Sequence, residues 1–116
     1  MITGAHVILY SADADADRAF LRDLLGTRTV DAGGGWTIAA LPPAEVAVHP
    51  TDEAPSHELY LMCDDVETTT AELRGRGIAV DPVTDQGWGL LTGIRLPGGG
   101  TLGLYEPRHP VAAEPG

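Results

Sequence analysis

The chain begins twice. His57-Glu58-Leu59-Tyr60-Leu61-Met62-Cys63 stops at Asp64-Asp65 and runs straight into the helical pattern Val66-Glu67-Thr68-Thr69-Thr70-Ala71-Glu72-Leu73, closed by Arg74-Gly75-Arg76-Gly77. The opening has the same order: His6-Val7-Ile8-Leu9-Tyr10-Ser11, then Ala12-Asp13-Ala14-Asp15, then the pattern from Asp17 to Gly26. Each half goes on to a Gly-Trp step, and Trp36 and Trp88 stand 52 positions apart (88 − 36) in a chain of 116 residues. Self-similarity at such a period implies a tandem duplication. A module of about 55 residues buries too little surface to be stable by itself. The two are therefore expected to share one domain over residues 1–110, module one about 4–50 and module two about 57–107, followed by a flexible tail at 111–116.

A hydrophobic content of 43% supplies one core for such a domain. The net charge of −10 excludes nucleic acid, whose phosphates need a basic face, and an anionic membrane surface. The same field would draw in a cationic ligand, although solubility alone accounts for much acidity. Cys63 is the single cysteine, so an internal disulfide is excluded and a reducing compartment fits. Strand alternation puts it with Leu59 and Leu61 on the side that packs on a helix, as an inert thiol. With neither a signal-peptide pattern nor a membrane-length apolar run, a cytoplasmic location is expected.

Residues 5–11 alternate as a strand, with Val7 and Leu9 on one face and His6, Ile8 and Tyr10 on the other. Asp13 or Asp15 can cap a helix whose apolar stripe is Ala16, Ala19, Phe20 and Leu24, ended by Gly26. Strands are expected at 28–31, 36–41 and 45–49, with Gly33-Gly34-Gly35 and Pro42-Pro43 as turns and 50–56 as the linker between modules. The glycine triplet lacks the following Lys-Ser/Thr and helix of a phosphate loop. The second half repeats the order: strand 57–63, helix 65–76, strands 78–81, 88–96 and 101–106, with 82–87 as a rim connection and a loosely held tail from Arg108.

A strand, a helix and three strands, occurring twice, resemble the vicinal oxygen chelate superfamily of glyoxalases, extradiol dioxygenases, and fosfomycin-resistance and bleomycin-resistance proteins. The likeness rests on His6-Val7-x-Leu9 with Asp13, Arg18-Ala19-Phe20, Phe20 through Leu25-Gly26, Asp64-Asp65-Val66-Glu67, Ala71-Glu72-Leu73 with Gly77, and Leu96-Pro97-Gly98-Gly99-Gly100 leading to Leu102-Gly103-Leu104-Tyr105-Glu106-Pro107. It implies an α+β fold of two βαβββ modules whose curved sheets form an open, cup-like barrel with helices outside.

In metal-dependent members of that family the ligands come from the first and last strands of each module. Carried over, those positions fall on His6, Ala47, Glu58, with His57 one residue early, and Gly103. Alanine and glycine bind nothing, and an open divalent site needs three protein ligands. His49 could join His6 and Glu58 as a two-His-one-carboxylate set for iron, zinc or manganese. It lies two residues beyond Ala47, however, about 6.6 Å along a strand. Glu106 is expected to point away from the cavity as an exposed strand-end carboxylate.

The family geometry places Ile8, Tyr10, His49, Tyr60, Met62 and Tyr105 on cavity-facing positions, with Trp36 and Trp88 at the rim. Loss of two carboxylates is expected to leave a larger, less polar cup. The leading expectation is metal-independent binding or sequestration of an aromatic or cationic small molecule, through rings that stack on planar groups and attract cations. The alternatives are a metal-dependent lyase, isomerase or dioxygenase acting on vicinal oxygens, and a metal-free acid–base enzyme using His6 and Glu58. The resemblance also implies a homodimer.

Overall fold

The computed structural model describes residues 6–45, 47, 50, 52–54, 56–110 and 112. Helix α1 (Ala14–Leu25) is followed by the antiparallel pair β1 (Thr29–Asp31) and β2 (Thr37–Ala39). The second half contains β3 (Tyr60–Met62), α2 (Val66–Gly75), β4 (Thr84–Asp85), β5 (Gly89–Arg95) and β6 (Thr101–Pro107). These four strands form one mixed sheet in the order β3-β6-β5-β4, with β3 and β6 parallel and the other pairs antiparallel. This is the expected α+β architecture, with an open cup in place of a closed barrel.

Some elements of the two halves recur at one spacing. Asp13 caps α1, accepting from the Ala16 N–H, and Asp65 caps α2, accepting from the Thr68 N–H. The two caps are 52 positions apart (65 − 13), as are the first helical residues Ala14 and Val66 and the strand starts Thr37 and Gly89. In each case a short acidic side chain takes up an amide that the first helical turn leaves without a partner. Gly26 ends α1 in the left-handed conformation at φ 63°, as a glycine can without strain.

The halves differ in their strands. β5 and β6 each run seven residues, whereas β2 stops at Ala39, before Pro42-Pro43, which donate no hydrogen bond to a ladder. The predicted strand at 78–81 is reduced to a single bridge between Val80 and Ile94. Residues 6–11 carry no strand pairing. Their expected neighbour at 45–49 lies partly outside the described residues, and Glu45 and Ala47 are not in a strand. Without a paired neighbour the pleat that would fix their alternation is missing.

The core lies between the large sheet and the helices. Leu73, Ile94, Leu96, Leu102 and Leu104 form its buried centre, and Phe20, Leu21, Leu24, Leu59, Leu61, Cys63, Ile78 and Val80 pack against it. Leu59, Leu61 and Cys63 thus share the helix-facing side, as alternation along 57–63 predicts. Burial pushes the Cys63 thiol pKa up, which suits an inert packing residue. The two halves are tied by Asp17 of α1, which is buried and whose Oδ1 accepts the Gly98 N–H of the β5–β6 turn at 2.8 Å.

Arg108 donates its backbone N–H to the Trp88 carbonyl at 2.9 Å, and the Ala112 N–H donates to Glu45 Oε1 at 2.8 Å. Arg108 is thus tied to the second half and Ala112 to the first. Glu106 does point away from the cup, yet it is half-buried and employed: its Oε1 accepts the Val66 N–H at the start of α2 at 3.0 Å. A carboxylate there suits the positive end of the helix. Among the described residues no helix is long and apolar enough to cross a membrane.

Candidate functional site

The face of the sheet opposite the helices is set by register. Tyr60 lies beside Gly103, Met62 beside Tyr105, Gly93 opposite Gly103, and Leu91 opposite Tyr105. Because side chains alternate, Tyr60, Met62, Gly103, Tyr105, Gly93 and Leu91 all present to this face. Above it opens a cavity of about 550 Å³ whose lining includes Leu9, His57, Glu58, Tyr60, Asp81, Leu91, Gly93, Thr101 and Gly103.

The glycine pair at its floor is covered from the side. A Cβ at Gly103 would sit 2.2 Å from Tyr60 Cδ1, and one at Gly93 would sit 2.6 Å from Thr101 Cγ2 and 2.8 Å from Asp81 Oδ2. Glycine is what permits such close approach. The expectation that Gly103 leaves an emptied space is thereby corrected: the Tyr60 ring occupies it. The cavity lies beside and above that ring.

Tyr60 is also the hub of the aromatic residues. Its ring meets Trp88 edge-on at 6.5 Å and Tyr105 edge-on at 5.7 Å, and Trp88 meets Tyr105 at 5.4 Å, all geometries that rings favour. His109 from the tail lies against Tyr105 at 6.0 Å, with its Nε2 3.4 Å from the Tyr105 hydroxyl. His109 Nδ1 is 2.8 Å from the Pro110 carbonyl, which can only accept, so Nδ1 carries a proton. The Tyr60 hydroxyl donates to Glu58 Oε2 at 2.5 Å. That bond, with burial and the negative charge of Glu58, pushes the Tyr60 pKa up to about 12. Burial first and the Glu45 carboxylate second raise the Tyr105 pKa as well. Both phenols are therefore held in their neutral, hydrogen-donating form.

The structure groups some sequence candidates and separates others. Glu58, His57 and Tyr60 line the cavity; Tyr105 and Trp88 back the Tyr60 ring; Met62 is half-buried in β3. Ile8 and Tyr10 are 61% and 93% exposed, and it is Leu9 that reaches the cavity lining. Trp36, 66% exposed, lies under the Arg18 guanidinium at 4.9 Å, away from Trp88 and its ring partners. His6 is exposed and does not line the cavity. His49 lies outside the described residues.

As for a metal, the described donors do not fit one. Among the described residues no three His, Cys, Asp or Glu side chains converge on a common point. Ala47 offers no donor atom, and the approach to position 103 is filled by the Tyr60 ring. Sequence reasoning missed Leu9, Leu91, Asp81, Gly93 and Thr101 of the lining. The glycine pair was accessible in principle, since the tight turn at 97–100 fixes which residues of β5 and β6 face each other.

No protein-family model matches the chain, and no curated protein sequence does. Solved structures do match. TnmS3, an antibiotic-binding protein from Streptomyces sp. CB03234, is 28% identical, with a TM-score of 0.61 over 92% of this chain and 99% of that one. The lactoylglutathione lyase of Agrobacterium tumefaciens is 20% identical, with a TM-score of 0.56 over 84% of this chain and 88% of that one. At that identity the lyase speaks to fold alone.

Proposed function

Given that this chain has the fold of the vicinal oxygen chelate superfamily, we propose that it is a metal-independent receptor that holds or sequesters an aromatic or cationic small molecule in the cup. The observation that carries this is the cavity of about 550 Å³ walled by the Tyr60 ring, with Trp88 and Tyr105 braced behind it. That volume lies in the range of small-molecule sites, and the lining mixes apolar side chains with a few polar groups. The similarity to an antibiotic-binding protein across nearly the whole length of both chains supports the same reading.

The chemistry of the donors favours binding over metal-assisted turnover. A side chain that could ligate is lacking at positions 47 and 103. The phenols nearest the cavity are held neutral, so they serve as hydrogen-bond donors and as ring faces. Tryptophan fluorescence in a Trp36→Phe background reports on Trp88 alone. Quenching that saturates with planar aromatic antibiotics or aromatic cations is the expected result; a flat response across both classes overturns the proposal. One equivalent of iron, zinc or manganese copurifying with the protein, and lost on His6→Ala, would overturn its metal-independent part.

The receptor is proposed to act as a cytoplasmic homodimer. Val30, Ile38, Trp36, Val7 and Ile8 are all more than two-fifths exposed on the first half, and exposed apolar surface is what interaction faces are built from. A second copy is the self-complementary way to cover it. Light scattering should give twice the chain mass, and Ile38→Asp should lower it; a wild-type monomer at micromolar concentration would refute the dimer.

A further inference from the structure

We infer that Glu58 is the counter-ion of a positively charged group: the cup takes a planar ligand bearing a protonated or quaternary nitrogen, seated against the Glu58 carboxylate with the Tyr60 ring beside it. This rests on the receptor reading above and narrows it from two ligand classes to one. It also gives Glu58 a role different from metal ligation or acid–base catalysis.

The charge inventory of the cavity leads there. Its lining contains the carboxylates of Glu58 and Asp81 and neither lysine nor arginine. Asp81 is already matched, since its Oδ1 accepts from Arg95 Nη2 at 2.9 Å and from Arg95 Nε at 3.1 Å. Among the described residues the partner of Glu58 is the Tyr60 hydroxyl, a neutral donor that orients the carboxylate. Glu58 is exposed at the cavity and hydrated when the cup is empty, so a guest seated against it has to replace that water. A neutral guest would bring nothing to offset it, whereas a cation would.

The ring beside it works in the same direction. A phenol that donates its proton to a carboxylate gains electron density, and an electron-rich ring face attracts cations. The net charge of −10 adds a long-range field that concentrates cations near the surface. Asp81, its partner Arg95 and His57 are the other ionisable groups near this space. Of them only Asp81 and Arg95 form a mutually compensating pair, at the side of the cavity opposite β3.

A matched pair of probes tests this: N-methylquinolinium, permanently cationic, against quinoline, planar and uncharged at about pH 8, both titrated by calorimetry into the full chain. The cation is expected to bind roughly 2- to 5-fold more tightly, the scale of one exposed charge pair. That preference should shrink as salt is raised. Glu58→Gln should abolish the preference, with the cation losing more affinity than quinoline. Tyr60→Phe, which keeps the ring but removes the hydroxyl that orients Glu58, should weaken the preference without abolishing it, so a folding defect in one variant does not mask the result. Equal affinity for the two probes, or a preference that survives Glu58→Gln, overturns the assignment and leaves the receptor reading standing. Binding of neither probe, together with a flat response to the aromatic antibiotics, overturns both.

Discussion

Asp17 Oδ1 and the Gly98 N–H meet at 2.8 Å across 81 positions of sequence, joining the first helix to the last hairpin. Asp17 is buried, and the same approach leaves no room for a Cβ at Gly98, which would fall 2.9 Å from Asp17 Oδ2 and 2.1 Å from Ser11 Oγ. A hydrogen bond to a charged acceptor is worth about 1.5–3 kcal/mol. Asp17→Ala should therefore lower the unfolding free energy measured in urea by an amount in that range, and Asp17→Asn, which keeps an acceptor, should recover most of it. Indistinguishable midpoints for the wild type and Asp17→Ala would show that the halves are held together by packing alone.

The contact between Gly103 and Tyr60 makes a second prediction. With the Tyr60 ring 2.2 Å from where a Cβ would stand, Gly103→Ala should destabilise by about 1–3 kcal/mol, the usual scale of overpacking. Trimming the ring should relieve it, so Tyr60→Ala combined with Gly103→Ala should cost less than the two changes separately. Additive losses in a double-mutant cycle by urea unfolding would mean that the ring does not fill this position.

The two helix caps offer a test of the duplication itself. Asp13→Ala and Asp65→Ala should each cost about 0.5–2 kcal/mol. They lie on separate helices, so the double variant should equal their combined effect to within about 0.5 kcal/mol. A cap whose removal changes nothing by thermal or urea unfolding would not be performing the role its geometry indicates.

Alkaline titration probes the Tyr60–Glu58 bond. The Tyr60 pKa rises from 10.0 to about 12 in the folded protein. The unfolded phenol therefore releases its proton first. The stability this confers is complete below about pH 10 and is lost as pH rises toward about 12. Absorbance of tyrosinate near 295 nm should show a late step that disappears in Tyr60→Phe and moves toward 10 in Glu58→Gln. An unchanged step in Glu58→Gln would remove Glu58 as its cause.

Much of the second half could be read from sequence because its signals are local. Asp65, the Val66–Leu73 periodicity and the Leu96–Gly100 turn each dictate structure within a few residues, and the helix and both long strands follow. Leu59, Leu61 and Cys63 also declare their face by alternation. Residues 6–11 did not behave so simply, because alternation fixes a face only when a neighbouring strand pairs with it. At Gly103 the residue itself indicated vacancy, and the filling side chain, Tyr60, comes from another strand at a register that the local sequence does not state. Glu58 was legible as a ligand-slot residue; its bond to Tyr60 depended on both side chains projecting from one edge.

The glycine pair at the bottom of the cup bears on how such a receptor can change its guest. Gly93 and Gly103 supply backbone on which the Tyr60 ring and the Thr101 and Asp81 side chains lie directly, so the base of the pocket is a hydrogen-bonded ladder with three covering groups. Selection can therefore rewrite Glu58 or Leu91 to suit a new molecule while the covered floor and the supporting sheet stay intact. A scaffold of this kind invites retuning of what it captures through a few wall positions, without first being made more robust.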